Sequence, residues 1–209
     1  MERIDQSRET HHVRSEQPDA VSSPRRPRPP RPVTLRIRVD IEGITPPIWR
    51  RLDVASDLTL DRLDAVLQLA FGWQNSHLHS FTTPLGRYGD RGERYLTAFD
   101  VAEGDDGIFE SAVELGELLV DAGDTLSYTY DFGDDWEHTL ILESVQTRSA
   151  GIPRAVLLAG RRAGPPEDCG GVRGYQDLLS RGAAAGDPEH LDIAGITTDL
   201  ARLDVGGAG

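Results

Sequence analysis

Three short stretches hold most of the side chains that could do chemistry. The densest is Tyr128-Thr-Tyr-Asp-Phe-Gly-Asp-Asp-Trp-Glu-His138, which sets Tyr130, Asp131, Asp134, Asp135, Trp136, Glu137 and His138 around one Gly. The second is Trp73-Gln-Asn-Ser-His-Leu-His-Ser-Phe81, with His77 and His79 two apart. The third is Glu167-Asp168-Cys169 inside a Pro- and Gly-rich run. Crowded carboxylates raise one another's pKa unless a cation or an Arg neutralises them. Carboxylates beside a His suit hard or borderline cations, or a basic ligand. A His-x-His pair on a strand projects from one face and could serve as a two-ligand arm for zinc or another transition metal. The metal-ligand candidates are therefore His77, His79, His138 and Asp131. Cys169 is a candidate nucleophile, although no base lies beside it in the sequence. The same residues also fit a plainer account, in which the acids cap turns, the His residues bond backbone and the aromatics fill a core. No calcium-loop spacing, phosphate loop, dinucleotide fingerprint or Gly-x-Ser-x-Gly elbow is present.

Hydrophobic periodicity indicates what positions these groups. Residues 125–132 and 136–142 alternate on either side of Gly133-Asp134-Asp135, which reads as a β-hairpin. A three-residue loop would set Phe132 opposite Trp136 and Tyr130 opposite His138. Residues 33–41 alternate cleanly as a strand with one wet face, and residues 48–54 resume the alternation after Pro46-Pro47. There Ile48, Arg50, Leu52 and Val54 share one face, with Trp49 and Arg51 on the other. Leu60, Leu63, Val66, Leu67 and Ala70 form a helical stripe that Thr59 or Asp57 can cap and Gly72 ends. Short helices are expected in 113–120, near 174–181 and in 197–203. A long loop with one or two short strands is expected over 84–109. Strands and scattered helices without a βαβ repeat predict an α+β fold: one compact domain, a mainly antiparallel sheet and two principal helices.

Composition bounds the function classes. The 209 residues carry a net charge of −13, and every basic residue is Arg. Residues 1–32 hold seven Arg against five acids, so subtracting their +2 from the total leaves −15 on the remainder. An acidic body repels phosphate backbones, which argues against nucleic-acid binding by the folded part. The stretch to residue 32 is Pro- and Arg-rich and is expected to be a disordered arm; Arg25, Arg26, Arg28 and Arg31 would give it weak, non-specific affinity for nucleic acid. Residues 33–190 form the expected domain, and 191–209 a Gly/Ala-rich tail. One Cys, no secretory h-region and no apolar run near ~18 residues lead to the expectation of a cytoplasmic protein without a membrane span.

Several motifs together resemble the plasmid pRiA4b ORF-3-like family. They are Pro46-Pro-Ile-Trp-Arg-Arg-Leu52, Leu67-Gln-Leu-Ala-Phe-Gly-Trp73, His77-Leu-His-Ser-Phe81, Tyr130-Asp-Phe-Gly-Asp-Asp-Trp-Glu-His138 and Pro165-Pro-Glu-Asp-Cys-Gly-Gly171 with Gly174-Tyr175. The resemblance covers roughly residues 33–190. It implies a compact α+β fold and a bacterial or archaeal protein, with some relatives carried on plasmids or as passengers of insertion elements. It implies no substrate, cofactor or catalytic residue, and no Ser- or Tyr-recombinase motif accompanies it. After Asp187-Pro-Glu-His190 relatives continue into an acidic, Trp-bearing stretch, whereas this chain has no Trp there.

The resulting expectation is a binding or accessory module associated with mobile genetic elements, its ligand, partner and cofactor open. The alternative is a metal-dependent enzyme using the His and carboxylate clusters. At least two of the three clusters are expected to share a pocket walled by Trp73, Trp136 and Tyr130. Arg50, Arg51 or a bound cation would offset the carboxylates.

Overall fold

The computed structural model describes residues 25–84, 92–184 and 186–203. The rest of the expected arm (1–24), part of the expected loop (85–91) and the last residues of the expected tail (204–209) lie outside them. The alternating runs form β1 (Val33–Ile41), β2 (Trp49–Ala55), β6 (Thr125–Tyr130) and β7 (Trp136–Thr147), joined by β3 (His79–Thr82), β4 (Arg94–Leu96), β5 (Ile108–Phe109) and β8 (Ala155–Arg161). They make one eight-stranded sheet in the order β5-β4-β3-β6-β7-β1-β2-β8. Neighbours are antiparallel except β4 and β5. The helices are α1 (Leu60–Phe71), α2 (Ala98–Glu103), α3 (Leu115–Leu118), α4 (Gly171–Ser180) and α5 (Ile193–Arg202). This is the expected compact α+β architecture.

The two faces of the sheet divide as the alternation requires. Leu35, Ile37, Val39 and Ile41 of β1 join the α1 stripe of Leu60, Leu63, Val66, Leu67 and Ala70 in one core. The other face is charged and half-wet. Arg36 donates to both Asp53 oxygens at 2.9 and 3.0 Å, and Arg51 to both Glu143 oxygens at 2.6 and 2.7 Å. The Arg38 guanidinium lies 4.5 Å from the Trp49 ring centre, so Trp49 is a packing residue under two Arg side chains.

Two expectations, the hairpin register and the tail, need correction, and two more gain detail. The β6–β7 loop holds five residues, so Tyr130 faces Trp136 and Tyr128 faces His138. Asp131 and Asp135 both adopt left-handed backbone at φ 54° and 55°, which lengthens the turn and leaves Phe132 half-exposed. Because the register moves by two residues, every side chain keeps its face. The described end of the expected arm, residues 25–32, is docked on the body. The Arg26 amide donates to Glu117 O at 2.8 Å, its guanidinium reaches Asp121 and Asp124, and Arg28 reaches Glu114 and Glu117, each at 2.8 Å. Arg25 pairs with Glu93 at 3.4 Å. The body's own acids thus occupy the basic segment. The residues expected as a tail from 191 include α5, which packs on β8 through Leu200 and a Thr197 hydroxyl bond to Leu157 O at 3.2 Å. Its Ile193, Ile196 and Leu200 keep helical spacing that the Ala/Gly content obscures. The short helix expected in 113–120 is present as the single turn α3, with a reciprocal capping box between Glu114 and Glu117.

Candidate metal centre

Three loops meet where the sheet, α1 and α4 come together. Gly72 ends α1 in left-handed conformation at φ 81°, turning the chain into the loop that carries His77 before β3 begins. The Asp131 amide donates to Leu78 O at 2.9 Å, fastening the hairpin tip to that loop. The third loop comes in extended over Pro165-Pro166, as residues preceding proline prefer. The Trp73 indole donates to Pro165 O at 2.9 Å, and Glu167 Oε1 accepts the Gln74 amide at 2.8 Å. Gly171 closes the arrangement. Its φ is 64°, and a Cβ there would lie 2.3 Å from Asp134 O, so only glycine lets the α4 start approach the hairpin so closely.

The result is a His–carboxylate cluster. His77 Nε2 lies 3.1 Å from Asp168 Oδ1, 3.7 Å from Asp131 Oδ2 and 3.9 Å from Glu167 Oε2. One ligand atom from each of His77, Asp131 and Asp168 falls within 4.8 Å of the other two. Asp131 is buried with Oδ1 taking the Gly133 amide at 2.9 Å, which turns Oδ2 toward His77. Glu167 is steadied by the Tyr130 hydroxyl at 3.1 Å. His77 Nε2 is itself shut off from solvent yet has no hydrogen-bond partner, since none of its carboxylate neighbours is aligned for one. No Arg among the described residues lies within ion-pair distance of Asp131, Glu167 or Asp168. Arg51 is held by Glu143 and Arg50 by backbone carbonyls, so the expected offset from these two does not occur.

The other expected residues are dispersed. His79 points away from His77: Nε2 meets Glu110 at 2.8 Å and Nδ1 lies 3.4 Å from Asp64, all three nearly buried. The His-x-His arm fails because His77 precedes the strand and its backbone does not continue the alternation. His138 is wholly buried among Phe71, Trp73 and Tyr128, with Nδ1 donating to Trp136 O at 2.9 Å. Burial lowers its pKa to about 4, so it is a neutral core residue and no ligand of this cluster. Trp136 is fully buried, and Trp73 stacks on the Tyr130 ring at 4.8 Å, so the tryptophans back the site and only Tyr130 flanks His77, at 5.9 Å between rings. Asp134 accepts the Gly170 amide at 3.0 Å; it lines a neighbouring acidic cleft with Asp135, Glu137 and Glu42. Burial, reinforced by Asp134, pushes the Cys169 thiol up to about 11, which keeps it protonated and unsuited as a nucleophile in the metal-free protein.

Sequence reasoning missed a buried polar network. Tyr128 donates to Asp64 Oδ1 at 2.6 Å, Gln68 Nε2 donates to the Tyr128 hydroxyl at 3.0 Å, and His79 bridges Asp64 and Glu110. The signal was present: Asp64 and Gln68 are four apart on α1, beside the apolar stripe, so they had to face inward together.

The chain matches the family model described as plasmid pRiA4b ORF-3-like protein over residues 33–205. It is 35% identical over 157 residues to the uncharacterized protein y4hQ of Sinorhizobium fredii, covering 75% of each chain. The crystal structure of a protein of unknown function, MM3350 from Methanosarcina mazei Go1, is similar at TM-score 0.68 and 30% identity, over 78% of this chain and 96% of that one. Fold, motif order and these similarities agree, and the chain belongs to the plasmid pRiA4b ORF-3-like family.

Proposed function

We propose that the protein is a divalent-cation-binding module, with His77, Asp131 and Asp168 as ligands and Glu167 completing or orienting the set. The observation that carries this reading is His77 Nε2, shut off from solvent, unpartnered and facing three carboxylates. A buried polar atom without a partner costs about 1–3 kcal/mol, and a cation accepting its lone pair would remove that cost. The donor set of one imidazole and two or three carboxylates suits borderline first-row ions such as Zn²⁺, Mn²⁺ or Fe²⁺. Bonds of about 2.0–2.1 Å in a tetrahedron set donors roughly 3.3 Å apart. The His77 distances of 3.1 and 3.7 Å bracket that spacing. Elemental analysis after dialysis against Zn²⁺ or Mn²⁺ tests it: one equivalent retained by the native protein and none by His77→Ala is expected, and no retention by the native protein refutes the reading. An association with mobile genetic elements rests on the family resemblance alone.

A second reading, a metal-dependent enzyme, is favoured by one feature. The Asp168 side chain is 75% exposed, so an ion held there would face solvent on one side. Catalytic metal sites keep such an open position for water or substrate, whereas structural sites are closed. Water-proton relaxation of the Mn²⁺-loaded protein separates the two, since an inner-sphere exchanging water requires the open position.

A further inference from the structure

Arg50 is a buried charge without a counter-ion. It occupies a core-facing position of β2, between Ile48 and Leu52, and is 1% exposed. Nε donates to Ala70 O at 2.6 Å, and Nη1 donates to Trp49 O at 2.9 Å and Arg161 O at 3.1 Å. The guanidinium lies over the Phe71 ring at 4.8 Å. No described carboxylate is within ion-pair distance of it, and no described acceptor meets Nη2. Burial lowers its pKa to about 10, so it stays cationic at neutral pH. The carbonyls explain how Arg50 ties the α1 C-terminus to β2 and β8. They leave the charge itself unbalanced, and a buried ion without a partner is strongly destabilising.

Arg50 is also one of the residues lining a cavity of about 280 Å³ between the α1 C-terminus and the α5 N-terminus. Leu69, Phe71, Leu191 and Ile196 make its apolar wall, and exposed His190 stands at its mouth. Gly160 lets β8 pass close to Arg50 and Leu191: a Cβ there would lie 2.6 Å from Leu191 and 3.1 Å from Arg50 Cδ. Asp192 also borders the cavity, and its Oδ1 accepts the Gly195 amide at 2.9 Å, capping α5. We infer that this cavity binds a small organic carboxylate, with Arg50 Nη2 taking the anionic end and Phe71, Leu191 and Ile196 taking a short apolar body. The volume sits at or below the low end for ligand pockets, which limits the ligand to a few carbons. The α1 C-terminal carbonyls and the Asp192 carboxylate make the cavity's surroundings negative apart from Arg50, which favours a monoanion over a phosphate dianion.

The test uses the full-length protein with acetate, isovalerate and phenylacetate, against isovaleramide and inorganic phosphate, read by calorimetry and Tm. Saturable binding of at least one carboxylate below about 10 mM is expected, with the neutral amide at least about tenfold weaker. Ile196→Trp fills the cavity while leaving Arg50 in place. It should weaken carboxylate binding about tenfold or more without changing metal content at His77. Arg50→Met is the direct variant, but Ile196→Trp decides if Arg50→Met does not fold. Absence of saturable carboxylate binding, equal binding of the amide, binding of phosphate in preference, or unchanged binding in Ile196→Trp would each overturn the inference.

Discussion

His77 and His79 stand two residues apart, and each meets carboxylates, yet the two clusters are built to opposite ends. Around His79 nearly every polar atom is satisfied. Asp64 receives Tyr128 and His79, Gln68 bonds Tyr128, Glu110 takes Nε2, and solvent is excluded. Around His77 three carboxylates gather without an Arg, and Nε2 bonds nothing. The first arrangement is complete without a ligand and holds α1 against β6 and β3. The second is incomplete, and incompleteness at a solvent-facing loop junction is what a binding site requires. Residue types alone could not separate them, since both read as His plus acid.

Breaking the His79 network should have the largest effect. Asp64→Ala would leave His79 paired with Glu110 alone and remove the acceptor of the Tyr128 hydroxyl. Removing one partner of a buried ionic set costs about 3–5 kcal/mol. Urea unfolding should show that loss, with metal retention at His77 unchanged in the surviving folded fraction. A loss below about 1 kcal/mol, the range of exposed pairs, would mean the network is no more than surface-like.

The core histidine gives the next effect, through pH. His138 has a folded-state pKa of about 4 against an ordinary 6.5, because burial disfavours its charged form. The unfolded chain therefore takes up a proton below pH 6.5 that the folded chain refuses. The corresponding stability is fully present above pH 6.5 and is lost as pH falls toward 4, by about 3 kcal/mol over that window. His138→Phe should flatten that stretch of the stability–pH curve. His79 runs the other way: burial lowers its pKa, but Glu110 and Asp64 outweigh burial and raise it overall. Its stabilisation is present below pH 6.5 and is lost as pH rises through the raised value.

Much of this architecture was legible in the chain. Alternation assigned β1, β2, β6 and β7, and placed Arg50 on the inner face with Ile48 and Leu52. Helical spacing gave α1 because its stripe is long and its end carries Gly72. The hairpin register was not legible, since a left-handed Asp131 and Asp135 lengthen the turn where a type-specific loop is the sequence prior. The fate of His77 and His79 was hidden for a related reason: strand alternation holds only inside the strand, and β3 begins at His79 itself. The C-terminal half of α5 was expected as a helix over 197–203; its start at Ile193 was masked by Ala and Gly content, although Ile193, Ile196 and Leu200 carry its period.

Metal removal should come third, and it sharpens the contrast between the two histidines. If the His77 cluster holds an ion, saturating Zn²⁺ or Mn²⁺ at about 100 times Kd should stabilise the native protein by about 2.7 kcal/mol, and chelation should reverse it. Asp168→Asn should weaken this effect, and His77→Ala should abolish it while leaving the apo protein's Tm unchanged or raised, since the unpartnered Nε2 is removed with it. A large Tm loss in apo His77→Ala would place His77 with His79 as a structural residue.

The smallest effect is expected at the docked Arg segment, which is a third arrangement of charge. Arg26 and Arg28 meet Asp121, Asp124, Glu114 and Glu117, but their side chains are 36% and 52% exposed. Exposed pairs are worth about 0.2–1 kcal/mol each and are screened by salt. Asp124 is better held: burial pushes its pKa up, but the Asp121 and Val120 amides and Arg26 outweigh that and bring it down overall. Its contribution is therefore present above the ordinary carboxylate range and is lost as pH falls through the lowered value. Arg26→Ser with Arg28→Ser should lower Tm by no more than a few degrees, and the difference should shrink by 0.5 M salt. The segment's pairing also predicts weak nucleic-acid retention by the native protein, because body acids compete for the same guanidinium groups. Neutralising the shelf with Glu114→Gln, Glu117→Gln and Asp121→Asn should raise that retention at low salt and steepen its salt dependence. Unchanged retention would mean that the segment stays docked through its backbone bond to Glu117, with the ion pairs incidental to it.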